Sequence, residues 1–104
     1  MPPTQSSTST VSYKVVLTSA FRRDYRRCAK RGLPIEEIDA AIMTLASGGL
    51  LPASMNDHPL KHNHAGEREC HLRGDWLMTY RIDRDVLTLS MLRTGTHREL
   101  GLGS

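Results

Sequence analysis

The chain has 104 residues, 38% of them apolar and only five aromatic, so it has room for a single domain with a mainly aliphatic core. Its apolar runs are only a few residues long, which excludes a membrane-spanning helix, and the Ser/Thr/Pro-rich residues 1–10 lack the basic and apolar regions of a secretory signal. Fourteen Lys and Arg against eleven Asp and Glu give a net charge of +3, with thirteen of those basic residues at or after Arg22, a mild pointer to an anionic partner.

Residues 1–10 read as a disordered tail and residues 11–104 as one domain. The β-branched and aliphatic stretch 11–17 predicts a first strand, with Val11, Tyr13, Val15 and Leu17 on one parity. Thr18 and Ser19 are N-cap residues for a helix whose apolar stripe is Phe21, Tyr25, Cys28 and Ala29, closing near Gly32. A second helix opens at Leu33-Pro34, has Glu36, Glu37 and Asp39 at its positive end, and ends at Gly48-Gly49. Ile35, Ile38, Ile42 and Leu45 form its buried stripe.

Residues 50–67 read as a long connection. Three strands follow: a short one at 68–72, one in which Trp76, Met78, Tyr80 and Ile82 alternate, and one with Leu87, Leu89 and Met91. The order β-α-α-β-β-β predicts an α+β domain, two N-terminal helices packed on a mostly antiparallel sheet of about four strands. Cys28 and Cys70 suit a pair of reduced thiols in a cytoplasmic chain.

The first helix carries Arg22, Arg23, Arg26, Arg27, Lys30 and Arg31. Like charges four apart each cost about 0.2–0.5 kcal/mol, so such a helix is either a solvated face or a surface kept for RNA or an acidic protein. All five histidines, His58, His62, His64, His71 and His97, lie in the second half of the chain. Their spacing is poor for a metal centre: His62 and His64 are the only close pair, and Cys70 and His71 cannot both point at one ion from a strand. No metal or other cofactor is expected. Arg93-Thr94-Gly95-Thr96-His97 closes the last strand with a fixed cation and a proton-transfer group around a glycine turn. Histidine, aspartate and arginine are the residue types that metal-free RNA cleavage needs. A base takes the 2′-hydroxyl proton, a cation steadies the phosphorane, and an acid protonates the leaving 5′-oxygen.

The segments Asp57-His58-Pro59-Leu60, Arg68-x-Cys70-His71, Asp75-Trp76-Leu77-Met78-Thr79-Tyr80 and Arg93-Thr94-Gly95-Thr96-His97 resemble, in order and spacing, the YafQ branch of the RelE/ParE toxin superfamily. The likeness covers about residues 12–100. It implies a ribosome-dependent endoribonuclease of a bacterial type II toxin–antitoxin system. Such a toxin cuts mRNA in the A site of the 70S ribosome and is neutralised by a cognate antitoxin.

By that resemblance the catalytic set is His58, His71, Asp75, Arg93 and His97. His97 is the general acid, Asp75 or His71 the base, Arg93 the phosphorane clamp, and His58 a phosphate ligand or an orienting group. Trp76, Lys61, Arg68 and Arg81 are expected to contact substrate. Arg22, Arg23, Arg26, Arg27 and Lys30 are expected to meet ribosome or antitoxin. The alternative on the same fold is a ParE-like gyrase inhibitor or a non-catalytic protein-binding toxin; gathering of the five catalytic residues in one cleft is what separates the two.

Overall fold

The computed structural model of the chain describes residues 12–60 and 66–101. Strand β1 (Lys14–Leu17) leads into helices α1 (Ser19–Lys30) and α2 (Glu36–Ala46); after a 3-10 turn (Ala53–Met55) come β2 (His58–Pro59), β3 (Glu67–Arg73), β4 (Trp76–Asp83), β5 (Thr88–Thr96) and α3 (His97–Leu100). The five strands form one sheet in the order β1-β5-β4-β3-β2, antiparallel except where β1 pairs with β5. The α+β class and the mostly antiparallel sheet are as the sequence predicts. The sheet has one strand more than expected, and a short third helix follows it.

Thr18 caps α1 by accepting a hydrogen bond from the Phe21 amide, and α2 begins with acidic Glu36, Glu37 and Asp39 in its first turn. The two helices bury Phe21, Cys28, Ile38, Ala41 and Leu45 against Cys70, Trp76, Met78, Tyr80, Leu89 and Met91 of the sheet. Each of these larger side chains contributes about 1.5–3 kcal/mol when fully buried. The β1 side chains contribute less: the strand starts at Lys14 rather than Val11, which lies outside the described residues, and Val15, Val16 and Leu17 stay 37–39% exposed.

Two local features decide what faces the other side of the sheet. Tyr80 pairs with Met91 while Thr79 pairs with Arg93, so Leu92 is an extra, bulged residue. Upstream of it, Leu89 and Met91 face the helices. Downstream, Arg93 falls on the opposite face although its sequence parity matches theirs. The second feature is the edge of β5 beyond the end of β1. There α1 takes over: the Thr18 hydroxyl donates to the Leu92 carbonyl (3.2 Å) and the Thr94 amide donates to Asp24 (3.1 Å).

Candidate active site

Three histidines converge on one buried carboxylate. Glu69 and His71 share a face of β3 by their two-residue spacing, and pairing of β2 with β3 sets His58 directly beside Glu69. His97, the first residue of α3, arrives from the end of β5. His71 Nε2 lies 3.1 Å, His97 Nε2 3.0 Å and His58 Nε2 3.5 Å from the same Glu69 Oε2 atom. The ring centroids of His71 and His97 are 5.3 Å apart, and those of His58 and His71 6.3 Å. Glu69 is 4% exposed, whereas about a third of each imidazole side chain reaches solvent. The carboxylate thus forms a floor beneath three accessible rings.

The supports of this cluster come from elsewhere in the chain. Asp57, next to His58, accepts a hydrogen bond from the Tyr80 hydroxyl (2.6 Å) and ion-pairs with Arg68 (3.1 Å). Burial, with Asp57 alongside, pushes the Tyr80 phenol well above its ordinary range. Asn56 makes the turn into this segment in the left-handed conformation, which asparagine tolerates better than most residues. His97 is held by a capping box in which the Thr96 hydroxyl accepts from the Glu99 amide and the Glu99 carboxylate accepts from the Thr96 amide, both at 3.0 Å. Arg31 ion-pairs with Glu99, and its hydrogen bond with that of the Thr96 amide holds the Glu99 carboxyl below the usual range. A Cβ on Gly95 would stand 2.8 Å from Glu99 Oε1, so a side chain there would push aside the carboxylate that closes the capping box of α3.

Asp24 anchors the neighbouring cation. It accepts from Arg93 Nε (2.6 Å), Arg27 Nη2 (2.9 Å) and the Thr94 amide (3.1 Å) while being 2% exposed. Burial works to raise its pKa, but the bonds from Arg93, Thr94 and Arg27 outweigh it and hold the carboxyl below the ordinary value. The Arg93 guanidinium is thereby tethered, while the side chain as a whole is 41% exposed. Register sets His58, Glu69, Thr79 and Arg93 in one row across four strands. Arg93 is two strand spacings from Glu69, about 10 Å.

The sequence-predicted residues divide clearly. His58, His71 and His97 come together, with Arg93 in the same row. Asp75 is exposed in the β3–β4 turn, beside Trp76, whose partner Thr96 precedes His97; it does not join the Glu69 cluster. Trp76, expected at the substrate, is 5% exposed and donates its indole N–H to the Thr94 hydroxyl (3.1 Å), so it is a core residue that braces β4 to β5. Arg68, also expected at the substrate, is committed to Asp57 and holds the His58 segment. Arg81 ion-pairs with Glu67 (3.0 Å) on the histidine face and is 45% exposed. Lys61, like His62 and His64, lies outside the described residues.

On α1, Arg22, Arg23, Arg26 and Lys30 are exposed. Arg27 instead serves Asp24, three residues before it on the same helix, and approaches Glu99 of α3 (3.8 Å), so the basic helix is partly neutralised by one acid of its own and one from the C-terminal turn. Glu69 is the residue that sequence reasoning missed. Its signal is the same-face pair Glu69 and His71 at i,i+2 in a strand.

Cys28 and Cys70 are free and buried, as expected; burial pushes the Cys70 thiol up to about 12, which makes it a core residue rather than a nucleophile. The expectation that the spacing is poor for a metal needs correction. His58, Glu69 and His71 offer one ligand-type atom each, all within 4.8 Å of one another, because strand pairing brings His58 beside the same-face pair Glu69 and His71.

Comparison with known proteins identifies the fold and the family. A family model described as the bacterial YafQ toxin of type II toxin–antitoxin systems matches residues 13–101. The chain is 32% identical over 81 residues, 77% of its length and 86% of the relative's, to the mRNA interferase toxin YafQ of Escherichia coli strain B / BL21-DE3. Its fold superposes on the E. coli DinJ–YafQ toxin–antitoxin complex structure with a TM-score of 0.80 at 26% identity, covering 86% of this chain and 98% of that one. It also superposes on a metal-bound toxin from Helicobacter pylori with a TM-score of 0.80 at 32% identity, covering 85% and 98%. The chain belongs to the YafQ family of bacterial type II toxins.

Proposed function

We propose that this YafQ-family toxin is an endoribonuclease that cuts mRNA in the ribosomal A site by acid/base attack of the 2′-hydroxyl, and that a cognate antitoxin neutralises it. The observation that carries the reading is the convergence of three solvent-reaching imidazoles on the single buried oxygen of Glu69. An mRNA-cleaving activity accords with the mRNA interferase relatives, and an antitoxin partner with the DinJ–YafQ complex.

The mechanism follows from which atoms are free. His71 and His97 direct Nε2 at Glu69, leaving Nδ1 of each ring for a substrate. Their rings are a phosphodiester's width apart. His71 takes the 2′-hydroxyl proton, the oxygen attacks the adjacent phosphorus, and His97 protonates the departing 5′-oxygen. Asp75, exposed at the turn, is the other base consistent with this arrangement. Glu69 keeps both rings oriented and stabilises whichever is an imidazolium, as the buried carboxylate of a catalytic triad does. Arg93 and His58 flank the row and neutralise the phosphorane. No described helix is long and apolar enough to cross a membrane, and the exposed Arg22, Arg23, Arg26 and Lys30 suit ribosomal RNA or an acidic antitoxin.

The chemistry is tested by the ends of the fragments. This route leaves a 2′,3′-cyclic phosphate upstream and a 5′-hydroxyl downstream. A 3′-hydroxyl with a 5′-phosphate would mean that water attacks phosphorus and would overturn it.

A further inference from the structure

We propose that Arg27 is a positioning residue for cleavage: it ties the carboxylate that holds Arg93 to the carboxylate that holds His97, and so sets the phosphorane clamp and the general acid relative to each other. Those two catalytic roles rest on the reading above; the bridge does not. Arg27 Nη2 donates to Asp24 Oδ1 (2.9 Å), and the same carboxylate accepts from Arg93 Nε (2.6 Å). Arg27 Nε faces Glu99 Oε2 at 3.8 Å, and Glu99 closes the capping box that starts α3 at His97. Among the described residues no other side chain reaches both acids: Arg93 pairs with Asp24 and Arg31 with Glu99.

A second observation singles out this arginine. Its Nε is buried and, among the described residues, is the one buried side-chain nitrogen or oxygen without a hydrogen-bond partner. Native chains leave few such groups unmade. Glu99 Oε2 stands less than about 1 Å beyond hydrogen-bond range of it, held off by its pairing with Arg31. Closing that gap tightens the path of contacts from His97 through Glu99, Arg27 and Asp24 to Arg93. Gly95 makes room for the bridge, since a Cβ there would stand 3.5 Å from Arg27 Nη2 and 2.8 Å from Glu99 Oε1. The residue type matters as well. A guanidinium offers Nε and Nη2 to two acids at once, whereas a lysine ammonium is a single point donor. Arg22, Arg23, Arg26 and Lys30 of the same helix are exposed, so Arg27 is the member of the basic set that turns inward.

The test is mRNA cleavage on programmed ribosomes by Arg27→Gln and Arg27→Lys, with urea unfolding of each and amide exchange at Thr96, whose N–H is bonded to Glu99. A misplacement of about 1 Å at a reacting group can cost about 10²-fold. Both variants should therefore lower kcat at least tenfold with KM within threefold, lysine giving no rescue, and Thr96 should exchange faster. Arg84→Gln, a change at an exposed residue of the β4–β5 turn, should cleave as wild type. In a Glu99→Gln background, Arg27→Gln should lower kcat less than threefold further, because both changes break one path. Arg27→Lys, which keeps the charge, serves if Arg27→Gln fails to fold. Wild-type kcat in a folded Arg27 variant, a raised KM with kcat kept (the mark of a docking residue), full additivity with Glu99→Gln, or unchanged Thr96 exchange overturns the bridge. Faster Thr96 exchange in the variants of a toxin that itself cleaves no mRNA overturns the nuclease reading and leaves the bridge standing.

Discussion

Replacing Glu69 by Gln keeps the shape of the side chain but removes the charge that three imidazoles share. For a protonated His97, 3.0 Å away, the lost attraction is about 5–6 kcal/mol at an effective dielectric of 20. Part of this is recovered, because each ring is about one third exposed and water enters to solvate it. The hydrogen bonds to a charged acceptor are each worth about 1.5–3 kcal/mol, which brackets the net loss from below. A transition-state penalty of about 3–4 kcal/mol corresponds to a fall of roughly 10²–10³ in rate. Glu69 acts through the rings and not on the RNA, so the loss should appear in kcat with KM nearly unchanged. Single-turnover cleavage of mRNA on programmed ribosomes measures it, with circular dichroism to establish that the variant is folded. A folded Glu69→Gln toxin within fivefold of wild type would refute the carboxylate's role.

Other residues make separate predictions. Asp24 has its folded pKa lowered, so its contribution is complete above its unfolded value of about 3.9 and disappears as pH falls through the folded value; Asp24→Asn should flatten the acid limb of the stability curve and cost about 2–3 kcal/mol at pH 7, read by urea unfolding. Tyr80→Phe removes the hydroxyl bonded to Asp57 and should cost about 1–2 kcal/mol, with a several-fold loss of cleavage because the His58 segment loosens; equal stability in urea would refute it. Gly95→Ala sets a Cβ against Glu99 Oε1 and should displace that carboxylate from the Thr96 amide, loosening α3 and reducing cleavage several-fold through His97 while circular dichroism stays native; unaltered cleavage would show that the capping box does not position that ring.

Much of the fold is legible in the sequence because it rests on long periodic signals. The stripe from Phe21 to Cys28, the one from Ile38 to Leu45 and the alternation of Trp76, Met78, Tyr80 and Ile82 all become core. The unread parts are too short to show a period: β2 is two residues and α3 is four. The bulge at Leu92 is invisible to parity, and it is what turns Arg93 away from the face shared by Leu89 and Met91. The site was legible as histidines and an arginine but not as an assembly. Glu69 in an alternating strand reads as a solvent-facing acid, and only the pairing of His58 beside it and the return of His97 over it make it a buried hub. Trp76 and Arg68, prominent in the motifs, are also tied into the frame, Trp76 through Thr94 and Arg68 through Asp57, contacts that their motifs do not suggest.

The central claim is that these imidazoles cut mRNA on the ribosome. Its most direct test is mRNA cleavage in a purified translation system, with and without ribosomes, comparing wild type with His97→Ala. The account predicts cutting that requires ribosomes and falls by at least about 10²-fold in the variant, the low end of what one proton-transfer group contributes. A folded His97→Ala toxin that cleaves within tenfold of wild type would contradict the assigned acid. Intact mRNA in every reaction with folded wild-type protein would contradict the nuclease and favour a gyrase-directed or purely protein-binding toxin.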